Sequence, residues 1–242
     1  MHRHESTDRW TFTTDFYIFT GMNKKFIFFL IIIVIAGILM SVVPMMCSHM
    51  KAGDLAIQNG AKLFEQKNFD QAESFFQQAL KEDCSYSKDT IYMYIANCYS
   101  QKGDFDSAIL YRKKALEIDA SDFDNYNNLG MLYRLKKDDA SAEIMFKKAT
   151  ELAPKNIVAF ASLGALYLTA NRIDEAIEYF DKALYIDDSD GAVHADLAIC
   201  YARKGKFDDA ENEYAEAVKQ KADNLEKFRA ELNTLEGASV SK

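Results

Sequence analysis

Residues 123–156 read FDNYNNLGMLYRLKKDDASAEIMFKKATELAPKN, and this stretch decides the fold. In its first half, apolar and small residues recur at helical spacing: Tyr126, Leu129, Gly130 and Tyr133. Its second half repeats the pattern with a further set: Ala142, Phe146 and Ala149. Each set would occupy one face of a helix, and a polar run separates them. The stretch therefore predicts a hairpin of two helices.

The same residue types recur along the chain with a period of 34 residues. One alanine series comprises Ala72, Ala108, Ala142, Ala176 and Ala210, and a second comprises Ala79, Ala115, Ala149, Ala183 and Ala217. The first step is 36 residues because two extra residues lie within 85–88. The period predicts five units: 53–86, 89–122, 123–156, 157–190 and 191–224. A single hairpin cannot bury both apolar faces, so we expect the units to stack around a continuous core.

This pattern resembles the tetratricopeptide repeat, a 34-residue unit with Leu-Gly-x-x-Tyr in its first helix and Ala, an aromatic and Ala in its second. Leu163, Gly164 and Tyr167 repeat the first motif in unit four. The resemblance implies an all-α fold: a right-handed α-solenoid of five helix-hairpin repeats, to which the sequence adds a C-terminal capping helix. An apolar run nearer the N-terminus predicts one transmembrane helix before the solenoid. Unit two departs from the family pattern, since Arg112 stands where an aromatic residue is usual.

The last part of the chain predicts one more helix. Leu225, Phe228, Leu232 and Leu235 form an apolar stripe with charged residues opposite. We expect residues 225–236 to form a helix that caps the exposed end of the core. Residues 237–242 are expected to be a frayed tail.

A second apolar pattern lies near the N-terminus. Residues 26–43, FIFFLIIIVIAGILMSVV, contain no charge. They would span about 27 Å as a helix, close to the thickness of a bilayer core. Lys24 and Lys25 precede the run, which predicts a cytoplasmic N-terminus and repeats on the outer side, in a bacterial envelope. Residues 22–47 are thus predicted to be a signal anchor, retained as a single transmembrane helix.

Alternatives to this anchor remain open. The run could be a cleaved signal peptide, or Cys47 could be lipidated as in a bacterial lipoprotein, although Met46 departs from the small residue required before that cysteine. Residues 1–21 show no periodicity and read as a disordered tail or as a mis-assigned start, with Met22 as the natural first residue.

Composition argues against several classes of function. The net charge of −8 disfavours binding to nucleic acid through its phosphates. The chain has no Gly-rich phosphate loop, no HExxH or GxSxG motif and no zinc spacing among its four cysteines. We therefore predict no enzyme, no cofactor and no metal site. Cys98 and Cys200 are expected to be small core residues.

Function is predicted to lie in the groove formed by the first helices. The resemblance implies that this concave face holds a partner protein or peptide. The candidate binding residues are the non-core positions of those helices: Ile57, Gln58, Met93, Tyr94, Asn97, Asn127, Asn128, Met131, Arg134 and Asp196. Amide side chains can bond an extended peptide backbone, and Tyr and Met can pack on its apolar side chains.

Related repeats that bind the C-terminal carboxylates of heat-shock chaperones combine asparagines with basic groups in the groove. Asn97 and Asn128 match the asparagines, but Met93, Val158 and Ser162 stand where cations are needed. That activity is not expected here, because a carboxylate gains little without a cation.

The sequence thus predicts a membrane-tethered, non-catalytic scaffold that binds proteins or peptides. Two alternatives are an envelope assembly lipoprotein, of the pilus or outer-membrane biogenesis type, processed at Cys47, and a structural repeat protein that self-assembles. An enzyme or sensor accessory with a hidden site would require a bound metal or cofactor that no motif predicts. The oligomeric state is not predicted.

Overall fold

The computed structural model describes residues 51–240, in which the chain forms α-helices and no strand. The helices are α1 (Ala52–Glu65), α2 (Phe69–Ala79), α3 (Lys88–Lys102), α4 (Phe105–Leu116), α5 (Phe123–Leu135), α6 (Asp139–Leu152), α7 (Ile157–Thr169), α8 (Ile173–Ile186), α9 (Gly191–Arg203), α10 (Phe207–Lys219) and α11 (Leu225–Val240). The all-α prediction is confirmed for this part of the chain.

The helices pair in chain order. Each odd-numbered helix from α1 to α9 packs against the next helix, and each hairpin then packs against the following one. The first helix α7 also contacts the first helices α5 and α9 on either side of it, and no comparably close packing joins the second helices α6, α8 and α10. The first helices therefore lie on the inner side of the stack, as the solenoid prediction requires.

One close contact recurs inside the hairpins. A Cβ atom added to Gly130 would lie 2.5 Å from the ring of Phe146, so the ring rests directly on the backbone of α5. Gly60 faces Phe76 and Gly164 faces Phe180 in the same way. Glycine is required where a helix approaches a ring this closely. The three rings are buried, and they anchor the second helix on the first.

The turns within the hairpins share one backbone conformation. A residue at the same slot of each unit has φ between 57° and 79°: Lys67, Gly103, Lys137, Asn171 and Gly205. This left-handed conformation ends the first helix and directs the chain back along it. In three units the next residue caps the second helix by accepting a hydrogen bond from a backbone N–H three residues later: Asn68, Asp104 and Asp138.

Ion pairs repeat between adjacent units. The Lys102 ammonium contacts Glu73 at 2.7 Å, and the Arg172 guanidinium contacts Glu143 at 2.7 Å. In both units a tyrosine of the first helix also donates to that carboxylate. Lys102 and Arg172 are partly exposed to solvent, so each of these pairs adds little to the free energy of folding. The pairs nevertheless align neighbouring hairpins.

The C-terminal helix differs in length from its prediction. Helix α11 packs against α9 and buries Leu232, so it covers the last hairpin as expected of a cap. However, it continues to Val240, four residues beyond the predicted end at Glu236, so residues 237–240 are helical rather than frayed. Gly237 does not end the helix. Its φ is not positive, so it lacks the left-handed conformation that commonly terminates a helix.

Several predictions concern residues outside the described range. These are the tail 1–21, the apolar run 26–43, the cysteine at 47 and the last two residues, 241–242. Among the residues that are described, no helix is both long and apolar enough to cross a bilayer.

The glycine–ring contact can be tested by one substitution made at two sites. Gly130→Ala should destabilise the protein by about 1–3 kcal/mol, because its new Cβ atom forces the Phe146 ring to move. Gly237→Ala should leave stability unchanged or raise it by up to about 1 kcal/mol, because a Cβ atom there meets nothing within 4 Å in a helix. Chemical denaturation of the full chain measures both. Equal effects at the two sites would contradict the proposed contact.

Candidate functional site

The inner face carries a cavity of about 240 Å³ between α3 and α5. These two first helices are less closely packed against each other than are the first helices of the following units. The cavity is lined by residues of both helices and by one residue of α4: Asn97, Ser100, Gln101, Arg112, Asn128, Met131, Leu132 and Leu135. The lining is therefore polar on one side and apolar on the other, without an acidic side chain.

Arg112 forms the floor of this cavity and is only 6% exposed. Its Nη1 donates to the Asn125 side-chain oxygen at 3.1 Å, and its Nη2 donates to the Asn97 oxygen at 2.5 Å. The Asn125 amide donates back to the Arg112 carbonyl at 3.1 Å. The guanidinium is therefore held in a fixed position by two amide oxygens on neighbouring helices.

No carboxylate lies within salt-bridge distance of Arg112 among the described residues, unlike the exposed cations of the repeated ion pairs. Burial lowers the pKa of Arg112 to about 10, while Asp122 and Asp124 act in the opposite direction from a distance. The side chain consequently stays charged at neutral pH. A buried charge without a counter-charge costs stability, which makes this arrangement unusual for a residue with only a packing role.

Three predicted groove residues meet at this cavity: Asn97, Asn128 and Met131. The Asn97 amide nitrogen has no hydrogen-bond partner among the described residues, because its oxygen faces Arg112. The Asn128 amide donates to the Asp124 carbonyl at 2.8 Å, which leaves the Asn128 oxygen available. Met131 is 49% exposed at the rim. The cavity thus offers a cation, polar groups and an apolar surface within one small space.

Two predicted groove residues are not on the surface. Ile57 is 3% exposed and belongs to the core of the first two units, because the start of α3 and the body of α2 pack around it. Asn127 is 8% exposed, and its side-chain oxygen is buried without a hydrogen-bond partner among the described residues. Both predictions were wrong as to exposure, because neighbouring units cover more of the inner face than one hairpin indicates.

Further aromatic surface lies at the N-terminal side of the cavity. The Tyr94 ring stacks on Phe76, with 5.1 Å between ring centroids, and meets the edge of Tyr86 at 6.4 Å. Of the other predicted residues on this side, Gln58 is exposed and Met93 is half-buried. This part of the inner face therefore presents half-buried aromatic rings to solvent.

The opposite end of the inner face is charged. Burial raises the pKa of Asp196 to about 6, Glu231 of α11 raises it further, and Arg134 opposes both. Arg203 donates to Glu231 at 3.0 Å and so joins α9 to α11. The predicted residues Arg134 and Asp196 thus come close enough to influence each other, and the capping helix borders them.

Other chemistry is not supported within the described part of the chain. Cys98 and Cys200 are fully buried, and burial raises the pKa of each thiol to about 12. Neither thiol supplies a nucleophilic thiolate at neutral pH. In residues 51–240, no group of three or more His, Cys, Asp or Glu side chains could hold a metal ion.

Sequence reasoning missed the central residue of the cavity, although a signal was present. The slot of Asn125 is occupied by Ile91, Ala159 and Val193 in the other units. Two polar residues, Arg112 and Asn125, therefore stand in usually apolar slots of adjacent units. Their contact crosses a unit boundary, so it becomes visible only when the units are aligned and stacked.

The stacked hairpins and the inner groove define a helical-repeat solenoid. Residues 87–155 and residues 167–232 each match the family description of the tetratricopeptide repeat, and together they cover more than half of the chain. The chain belongs to the tetratricopeptide-repeat family. A comparison with curated protein sequences found no significant match.

Solved structures share this fold. A crystal structure of MamA is 22% identical with a TM-score of 0.60, over 72% of this chain and 96% of that chain. YrrB, described as a TPR protein with an unusual peptide-binding site, is 22% identical with a TM-score of 0.57, over 72% of this chain and 89% of that chain. The Pseudomonas aeruginosa protein pilF is 21% identical with a TM-score of 0.62, over 77% and 88%. Likeness at these identities shows the fold alone.

The raised pKa of Asp196 predicts a pH-dependent stability. Between its ordinary value of 3.8 and about 6, the folded protein binds more protons at this group than the unfolded chain, so stability falls as pH rises through that window. Asp196→Asn should leave Tm unchanged below this window and raise Tm by a few degrees above it. Thermal unfolding at pH 3.5 and pH 7.5 measures the difference. An identical change in Tm at both pH values would contradict the assignment.

Proposed function

We propose that the protein is a membrane-tethered, non-catalytic scaffold that binds a partner protein or peptide along its inner groove. The observation that carries the proposal is the cavity between α3 and α5, where Arg112, Asn97 and Asn128 line a space that opens beside an apolar rim. Binding pockets combine a few placed polar groups with apolar walls in this way. Membership of the tetratricopeptide-repeat family supports a role in protein interaction.

The inner face suits an extended peptide. Amide side chains can donate to and accept from the peptide backbone, whose polar groups need partners when they leave water. The aromatic surface around Tyr94 and the exposed Met131 can pack on apolar side chains of the partner. YrrB, a protein of similar fold, is described as having an unusual peptide-binding site, which is consistent with this use of the repeat.

The membrane tether is proposed from the sequence. Residues 26–43 are uncharged and long enough to cross the bilayer core, and the lysines before them favour an N-terminus in the cytoplasm. The groove would then lie on the outer side of the membrane, in the envelope of a bacterium. Tethering raises the effective concentration of the groove for other membrane components. Processing at Cys47 would replace the helix with a lipid anchor and leave the groove on the same side.

The proposal is tested with two matched variants. Met131→Glu adds a charge to the groove rim on α5, and Ile144→Glu adds the same charge on α6, where the side chain is 62% exposed. In-cell crosslinking followed by mass spectrometry of membrane and soluble fractions identifies the partner. We expect the unaltered chain and Ile144→Glu to capture one partner from the membrane fraction, and Met131→Glu to reduce that capture at least about tenfold.

Three outcomes would contradict parts of the proposal. Equal capture by both variants would move the interaction away from the groove. Loss of capture in Ile144→Glu alone would assign binding to the second helices. Recovery of the chain only in the soluble fraction would contradict the tether.

A further inference from the structure

Arg112 is a charged residue in a slot that the repeat normally fills with a buried aromatic ring. Its slot holds Phe76, Phe146 and Phe180 in units one, three and four, and those rings are buried apolar contacts. The guanidinium is equally buried, yet its two hydrogen bonds to described residues go to neutral amides. Asp122 and Asp124 act on this positive charge only from a distance, so no carboxylate pairs with it directly among the described residues.

A packing role does not account for this choice. The other junctions between units have apolar residues in the slots of Arg112 and Asn125, and their helices pack more closely than α4 and α5 do. Asn125 is 1% exposed and bonds both to the guanidinium and to the Arg112 carbonyl, so it fixes the direction of the Arg112 side chain. Arg112 and Asn125 therefore occupy two slots that are apolar at the other junctions, and together they place the guanidinium at the cavity.

The remaining lining points to an anion. The Asn97 amide nitrogen, the Ser100 hydroxyl and the Gln101 amide belong to residues that line the same cavity as Arg112, and none of these groups has a hydrogen-bond partner within residues 51–238. No acidic side chain lines the cavity, although the chain carries a net charge of −8. An arginine guanidinium with amide and hydroxyl donors in the same cavity can bind a carboxylate, which accepts hydrogen bonds from all of these groups.

We propose that this cavity binds the side-chain carboxylate of a Glu or Asp within an extended segment of the partner, with Arg112 as the charge-bearing group. This inference rests on the proposed function and deepens it by naming the chemistry of one recognised residue. The volume of about 240 Å³ suits one such side chain. The inner face continues on both sides of the cavity, toward Tyr94 and toward Asp196, so the segment passes through rather than ending there.

The cation comes from a second helix in this arrangement. Sequence reasoning sought cations only on first helices, at Met93, Val158 and Ser162, and found none. Arg112 of α4 reaches the inner face between α3 and α5 because those helices are less closely packed. The apolar residues Met131 and Leu135 then flank the carboxylate and can contact the neighbouring residues of the segment.

Three peptides test the chemistry against the full chain in a non-ionic detergent. N-acetyl-Leu-Glu-Leu amide carries only a side-chain carboxylate, N-acetyl-Leu-Gln-Leu with a free C-terminus carries only a terminal one, and N-acetyl-Leu-Gln-Leu amide carries neither. NMR spectra of the Arg112 guanidinium and of the Asn97 side-chain amide report binding. We expect saturable shifts with the first peptide, with Kd on the order of 1–10 mM, and none with the third.

Variants distinguish binding by Arg112 from a general effect of positive charge on the protein surface. Arg112→Met is combined with Asn125→Val, so that the fully buried Asn125 amide is not left unpaired, and should weaken the first peptide at least about tenfold. Lys113→Met removes the same charge from the next, exposed residue and should leave the affinity unchanged. Arg112→Lys keeps the charge but loses the planar fork, so we expect an intermediate affinity.

Each contrary outcome overturns a defined claim. Equal shifts with all three peptides, or none with any, would refute carboxylate recognition. Shifts with the free C-terminus alone would refute the side-chain assignment. If the double variant does not fold, the shifts of the unaltered chain still decide, because the Arg112 resonances report directly on its contacts. Capture of the partner in cells by Arg112→Met/Asn125→Val at the level of the unaltered chain would refute this inference and leave the scaffold proposal intact.

Discussion

The fold depends on the contact between a small residue of each first helix and the large side chain that rests on it from the second helix. Where that pair is glycine and phenylalanine, as for Gly130 and Phe146, the ring lies on bare helix backbone. This distance sets how closely the two helices of a hairpin approach. The left-handed turn residues reverse the chain within each hairpin, and the ion pairs between units align one hairpin with the next. Stacking buries the alanines of both series, and the buried side chains form three clusters that are linked by the half-buried rings of Tyr99 and Tyr133.

The same contact explains where the candidate site lies. In unit two the corresponding residues are Ala96 and Arg112. The Arg112 side chain donates hydrogen bonds to Asn97 and Asn125 on the two neighbouring first helices. An irregularity in the repeat thus places a polar group at the boundary of two units. Real proteins depart from locally favourable choices mainly at functional positions, and the buried Arg112, which has no directly paired carboxylate among the described residues, is such a departure.

The sequence was sufficient for the hairpins, because a 34-residue period combined with helical spacing leaves few alternatives. Asn97, Asn128 and Met131, which were predicted from their non-core slots, line one cavity in the structure. The sequence was not sufficient where neighbours from other units decide exposure. Asn127 is 8% exposed, and Arg112 is bonded to Asn125, thirteen positions further along the chain. Such contacts require the stacked arrangement, which a single repeat does not contain.

The end of the C-terminal helix was missed for a different reason. Gly237 resembles a helix terminator in the sequence, but it keeps helical backbone in the structure because α11 packs on α9 over the preceding residues. Local propensity is thus overridden by packing there.

We propose that unit two lacks the glycine–ring contact of other units because Arg112 occupies the ring position as a binding group. The most direct test is the thermal unfolding of Ala96→Gly/Arg112→Phe/Asn125→Val, which restores the glycine–ring pair and the apolar junction found elsewhere in the chain. We predict that Tm rises by about 2–8 °C, because a buried charge is removed and a buried ring is gained. A Tm equal to or below that of the unaltered chain would contradict the account, since Arg112 would then stabilise its unit as well as a ring does.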